Sequence, residues 1–185
     1  MTAYDLPTSL VIGEVAYKIR YNWRAILDIL SACADPKLDN HCKALCMLQI
    51  FYIDWETIPV DRLQEACEKA SKFIDCGNND DGSTKPKMID WEQDASIIIP
   101  EINKVAGKEV RLDTNIHWWT FYGWFMSIGD GVLASILHIR QKKIHRKKLE
   151  KWEQEFYTAN KHLIDFKNSD SEELRQEKDN ILKYL

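Results

Sequence analysis

The stretch "HWWTFYGWFMSIGDGVLASILHIR", residues 117–140, decides how this sequence is read, because it gathers tryptophan, phenylalanine and glycine into a run almost free of charge before Arg140. A membrane span, a cofactor pocket and the interior of a helical protein are the three readings of such a run. Residues 116–139 reach the ~20 residues that a bilayer core requires. Asp130, however, falls mid-run between glycines, where it would cost ~2.5–3.5 kcal/mol even on a lenient insertion scale. His117 and His138 add to that cost. Trp118, Phe121, Phe125, Ile128, Val132, Ile136 and Ile139 keep helical phase, so the spacing predicts helix surrounded by other helices. A glycine inside a helix costs ~1 kcal/mol relative to alanine, which places a break or sharp bend at Gly129-Asp130-Gly131. Asp113 or Thr114 is the expected N-cap of the stretch.

Working toward the N-terminus, "SLVIGEVAYKIRY" alternates around Gly13-Glu14 and predicts a short hairpin with strands near 9–12 and 15–20. Asn22 can cap a helix whose stripe is Trp23, Ile26, Leu27 and Leu30, ending before Pro36. A second helix over residues 41–52 carries Leu45, Leu48 and Phe51. Beyond Pro59, Leu63, Ala66, Cys67, Ala70, Phe73 and Ile74 follow amphipathic spacing up to Gly77. "GNNDDGSTKPK", residues 77–87, is too polar to bury a face and is expected to be a mobile surface loop. Asp90 then caps a helix with Gln93, in which Trp91, Ala95, Ile98, Ile102 and Val105 stay in phase across Pro100. That proline is expected to kink or restart the helix before it ends at Gly107. On the other side, "LEKWEQEFYTANKHL" predicts an amphipathic helix through Leu149, Trp152 and Phe156. The expected fold class is therefore mainly α, a single helical domain over residues 1–168 with a small N-terminal β-hairpin, followed by a charged tail over residues 169–185 in which Ser171 can cap a short helix, either frayed or docked.

Composition restricts the chemistry. With 45% hydrophobic and 29% charged residues the chain can bury a real core, and a formal charge of −4 supplies no general attraction to nucleic acid or anionic lipid. The opening residues lack a basic and apolar leader, so a cytosolic protein is expected. Cys33, Cys42, Cys46, Cys67 and Cys76 are irregularly spaced and odd in number, which argues for free thiols. His41, Cys42 and Cys46 lack the further ligands that structural zinc needs. No pair of carboxylates is singled out for acid–base work, and glycine-rich phosphate motifs are missing. The expectation is a protein without catalytic residues, cofactor or metal. The strongest charge feature is "RQKKIHRKKLEK", where Arg140, Lys142, Lys143, Arg146, Lys147, Lys148 and Lys151 face one acid, Glu150. The run has no interleaved aromatics for stacking on bases, which argues against nucleic acid.

Five pieces of the chain resemble a known family: "YDLPTSLVIGEVAYKIR", "DWEQDA", "HWWTFYGWFMSIGDG", "ILHIRQKK" and "LEKWEQEFY", spread over residues 4–168. These resemble the bacteriophage gene-product-fifteen proteins of siphophages and prophages. The resemblance implies a gene between those of the major tail protein and the tape measure protein, the position typical of tail assembly chaperones. It implies a non-enzymatic factor in the host cytoplasm that coats the apolar, helical tape measure protein before tail tube protein polymerises around it. Such a factor needs exposed apolar anchors inside a polar rim. Tryptophan dominates interface hot spots, so Trp118, Trp119, Trp124 and Trp152 are partner-binding candidates; periodicity turns Trp118 inward and leaves Trp119 or Trp124 as the better exposed anchors, with Arg140, Lys143 and Lys147 supplying charge. Homo-oligomerisation stays open. The alternatives are a nucleic-acid or regulatory binding protein using the basic helix 140–151, or a phage product recognised by host defence.

Overall fold

A computed structural model of the chain describes residues 4–77 and 86–167; the charged tail and most of the polar loop lie outside them. The described residues form a short antiparallel hairpin followed by seven α-helices. The strands are β1 (Ser9–Ile12) and β2 (Val15–Lys18), and the helices are α1 (Trp23–Ala34), α2 (Asn40–Phe51), α3 (Leu63–Ile74), α4 (Ala95–Ala106), α5 (Trp118–Met126), α6 (Val132–Ile144) and α7 (Lys151–Ile164). Among the described residues no helix is long and apolar enough to cross a membrane. Contacts group the chain into two compact units, residues 1–85 with 98–128, and residues 86–97 with 129–185.

In the first unit the hairpin pairs Ser9 with Lys18 and Ile12 with Val15. Gly13 has φ of +58° and Glu14 does not share that sign, which is the type II′ turn that matches strand twist. The Glu65 carboxylate on α3 accepts the Gly13 N–H at 3.1 Å and so fastens the turn to the helix. The second strand is shorter than expected. Beyond Lys18 the chain turns to the end of α2: Arg20 N–H bonds Phe51 O at 2.8 Å, and Ile53 N–H bonds Lys18 O at 3.1 Å. The Arg20 guanidinium caps the same helix end, donating to the carbonyls of Gln49, Ile50 and Tyr52 at 2.9–3.1 Å.

Asn22 caps α1 as expected, its side chain accepting from Ala25 N at 3.0 Å. The buried face is Trp23, Ala25, Ile26 and Ile29, while Leu27 and Leu30 are only half-buried. Helix α3 buries Ala66, Ala70 and Phe73, and its small alanines let Tyr52 approach until its hydroxyl donates to Ala66 O at 2.9 Å. It ends in a left-handed pair, Cys76 at φ +55° and Gly77 at φ +82°, with Gly77 N–H returning to Lys72 O at 2.8 Å. Of the two outcomes expected at Pro100, a kink or a restart, the restart does not occur: helix α4 runs through the proline. Pro100 lies only six positions into the helix, so the single carbonyl that loses its donor is that of Ser96, at the helix start.

The tryptophan-rich stretch divides as its glycines demand. Helix α5 stops at Met126, α6 starts at Val132, and Gly129-Asp130-Gly131 lie between them. The cap, however, is neither Asp113 nor Thr114. Asp113 is occupied by Asn115 N at 3.0 Å and Lys108 Nζ at 2.7 Å, and the helix begins later, at Trp118, behind His117. His117 Nε2–H donates to Pro7 O at 3.0 Å, which leaves Nδ1 free to accept Trp119 N–H at 3.1 Å. The imidazole is also stacked on Tyr21 with ring centres 5.2 Å apart.

This cap requires a neutral ring. Burial lowers the His117 pKa from the ordinary 6.5. The unfolded chain therefore takes up the proton at about pH 6.5, before the folded one does. The stabilisation is complete above that pH and is lost as the pH falls toward the folded value. The urea midpoint of the wild type should fall between about pH 7 and about pH 5.5. His117→Asn keeps a capping oxygen without titrating and should remove this part of the fall; an equal fall in both proteins would refute the assignment.

The second unit is organised around Ile136, Ile139 and Ile164, against which Ile97, Leu149, Phe156, Tyr157 and Leu163 pack. Helices α6 and α7 form a hairpin, and α7 starts in a capping box made by Glu150 and Glu153.

Candidate partner-binding surface

The six residues singled out from the sequence have different fates. In the first unit Trp119 is half-buried, and its indole N–H donates to Phe73 O at 2.8 Å. It therefore serves as a brace between α5 and α3. Its neighbour Trp118 does the same more deeply, donating to Ile74 O at 2.7 Å. The two indoles thus donate to carbonyls at the end of α3, where Phe73 O also accepts the Cys76 N–H at 3.0 Å. Trp124 is half-buried beneath the Lys108 ammonium, which lies 5.7 Å from the ring centre.

In the second unit Arg140 is not on the surface. It is 3% exposed and pairs with Asp94, itself 1% exposed, through two bonds of 2.6 and 2.8 Å. Its remaining donors go to Ile164 O at 2.8 Å, Leu163 O at 2.7 Å and Met88 O at 2.9 Å, so each N–H of the guanidinium is used. The Phe166 ring lies 4.2 Å from the guanidinium carbon. The basic run had suggested a solvated cation. Helical phase accounts for the burial, because Arg140 is one turn beyond Ile136 and continues the buried stripe.

Lys143 is exposed but engaged, bonded to Asp165 and to the Tyr157 hydroxyl at 3.0 Å. Lys147 is exposed in the turn between α6 and α7. Trp152 is 51% exposed, although the sequence pattern set it beside Leu149 and Phe156. Its ring stacks on His138 at a 6.4 Å centre distance, and its N–H donates to Glu150 Oε2 at 3.2 Å. The neighbouring Glu153 is fully buried and accepts from Lys142, from His138 Nε2 at 2.8 Å and from the Glu150 N–H. The Lys142 hydrogen bond leads the effects that hold its carboxyl down to about pKa 2, so Glu153 is a fixed anion near neutrality and anchors the end of the hairpin. Near neutral pH it has no proton to exchange.

The sequence model of the bacteriophage Gp15 protein family matches residues 4–166. The chain belongs to the bacteriophage Gp15 protein family. No curated protein and no solved structure matches it. In this Gp15 protein the matched region contains all six candidates and stops before the charged tail. Two residues of the Trp152 surroundings were not among the candidates from the sequence, His138 and Glu153. The signal for Glu153 was its place three residues after Glu150 at a helix start, the spacing of a capping box. His138 gave none, since its value comes from the helix packed opposite.

Proposed function

We propose that this Gp15 protein is a tail assembly chaperone or a closely allied morphogenesis factor, acting in the host cytoplasm without catalysis or cofactor. Its partners in this reading are the tape measure protein, the tail tube protein, or both. Membership of a bacteriophage family over residues 4–166 supports the viral setting, and the resemblance drawn from the sequence motifs supplies the assembly role. The observation that carries partner binding is Trp152, a half-exposed tryptophan held by His138 and Glu150 beside exposed lysines. A pre-set indole loses little conformational freedom on binding, which is why tryptophan recurs at interface hot spots.

Co-expression with the tape measure protein and, separately, with the tail tube protein tests the reading. A stoichiometric complex with at least one of them is expected on co-purification. Absence of a complex with both, from a folded preparation, would overturn it.

A further inference from the structure

The closed end of the α6–α7 hairpin presents cations and apolar surface together. Lys142 Nζ bonds Glu153 and lies 3.8 Å from Glu150 Oε1, which ties the last turn of α6 to the first turn of α7. The connection between them carries Arg146, Lys147 and Lys148, with Lys151 just beyond. All four are exposed, and among the described residues they make no ion pair. Ile144 is 37% exposed and Trp152 51% exposed at the same end.

Arg146 supplies an independent observation. Its φ is +52°, and the turn closes through Arg146 N–H to Lys143 O at 3.0 Å and Lys147 N–H to Lys142 O at 2.8 Å. This is the helix-ending position that glycine fills with least strain. A cation occupies it without an ion-pair partner, so its charge is not used within the described part of the fold.

We propose that this end of the hairpin docks an amphipathic helix of a partner protein whose apolar stripe is flanked by acidic residues. The stripe would lie on Trp152 and Ile144, and the carboxylates would meet Arg146, Lys147, Lys148 and Lys151. A nucleic-acid strand fits less well. Trp152 is the one exposed tryptophan, tyrosine or phenylalanine described at this end, whereas a strand is held by successive rings on which its bases stack. Ile144 also has no counterpart in such a strand. The inference rests on the assembly reading only in taking the partner to be a helical protein.

The test uses the full chain and labelled helical peptides of about 20 residues, with leucines at helical spacing flanked by glutamates in one and by lysines in the other. A single-stranded oligonucleotide of similar length is the third probe. The glutamate peptide should bind at least about tenfold more tightly than the lysine peptide and weaken as salt rises. Trp152→Ala, and Lys147→Glu combined with Lys148→Glu, should each weaken it about tenfold. Arg146→Gly should weaken it while leaving the thermal midpoint unchanged or raised, which separates lost contact from lost folding. Equal affinity for the two peptides, tighter binding of the oligonucleotide, or variants that bind like the wild type would overturn the proposal. Co-purification distinguishes the two levels. If the variants still capture a tail protein, the docking surface falls and the assembly role stands. If the wild type binds the glutamate peptide but neither tail protein, the assembly role falls alone.

Discussion

Arg140→Met is expected to destabilise the second unit by about 3–5 kcal/mol, the range for removing one partner of a buried ion pair. Several effects act in the same direction. Asp94 would stay buried with only the Asp90 N–H, at 3.0 Å, as a remaining partner. The carbonyls of Leu163 and Ile164, which end α7, would lose their donor, and so would Met88 O. Methionine has a comparable length and some flexibility, so the lost bonds rather than a cavity should dominate. Urea denaturation and hydrogen exchange of residues 132–164 measure the loss. The double change Arg140→Met with Asp94→Leu should recover a large part of it, because an apolar pair leaves no stranded charge. A single-variant loss below about 1 kcal/mol would mean that Arg140 is solvated rather than buried.

Trp118→Ala is expected to cost about 3–5 kcal/mol, as for other buried aromatic truncations. Trp118 is 1% exposed and lies 5.4 Å from Tyr122 between ring centres. The substitution opens a cavity and also strips Ile74 O of the indole donor at 2.7 Å. Trp124→Ala, six residues along the same stretch, should cost about 1 kcal/mol, since that ring is half-buried and its polar contact is the exposed Lys108. Trp119→Ala should fall between them because its N–H is committed to Phe73 O. Chemical denaturation of the three variants, read on the first unit, orders them. Equal losses at Trp118 and Trp124 would contradict the burial pattern.

Helical phase placed Trp118 inward and Trp152 on the same side of its helix as Phe156; Trp118 is buried, whereas Trp152 is left half-exposed on that side. The reason is geometric. A stripe of apolar residues spans a wide arc, and the helix turns toward whichever part of that arc its neighbour fills. In α7 the neighbour is α6, which receives Phe156, Leu163 and Ile164 and leaves Trp152 at the hairpin end against His138. The same limitation rotated the buried face of α1 toward Ala25 and Ile29.

Four features depend on near neighbours along the chain and were legible from it: the glycine-led hairpin turn, the Asn22 cap, the break at Gly129-Asp130-Gly131 and the mainly helical class. These follow from backbone freedom and local hydrogen bonding, which act over a few residues. Long-range packing set three others: His117 caps α5 as a neutral ring, Arg140 is buried against Asp94, and Trp152 is left half-exposed. The partners of those three residues lie between 14 and 110 positions away, at Pro7, Asp94 and His138. A polar side chain's position inside or outside the protein is set by whether such a distant partner can satisfy it, and local spacing carries no record of that.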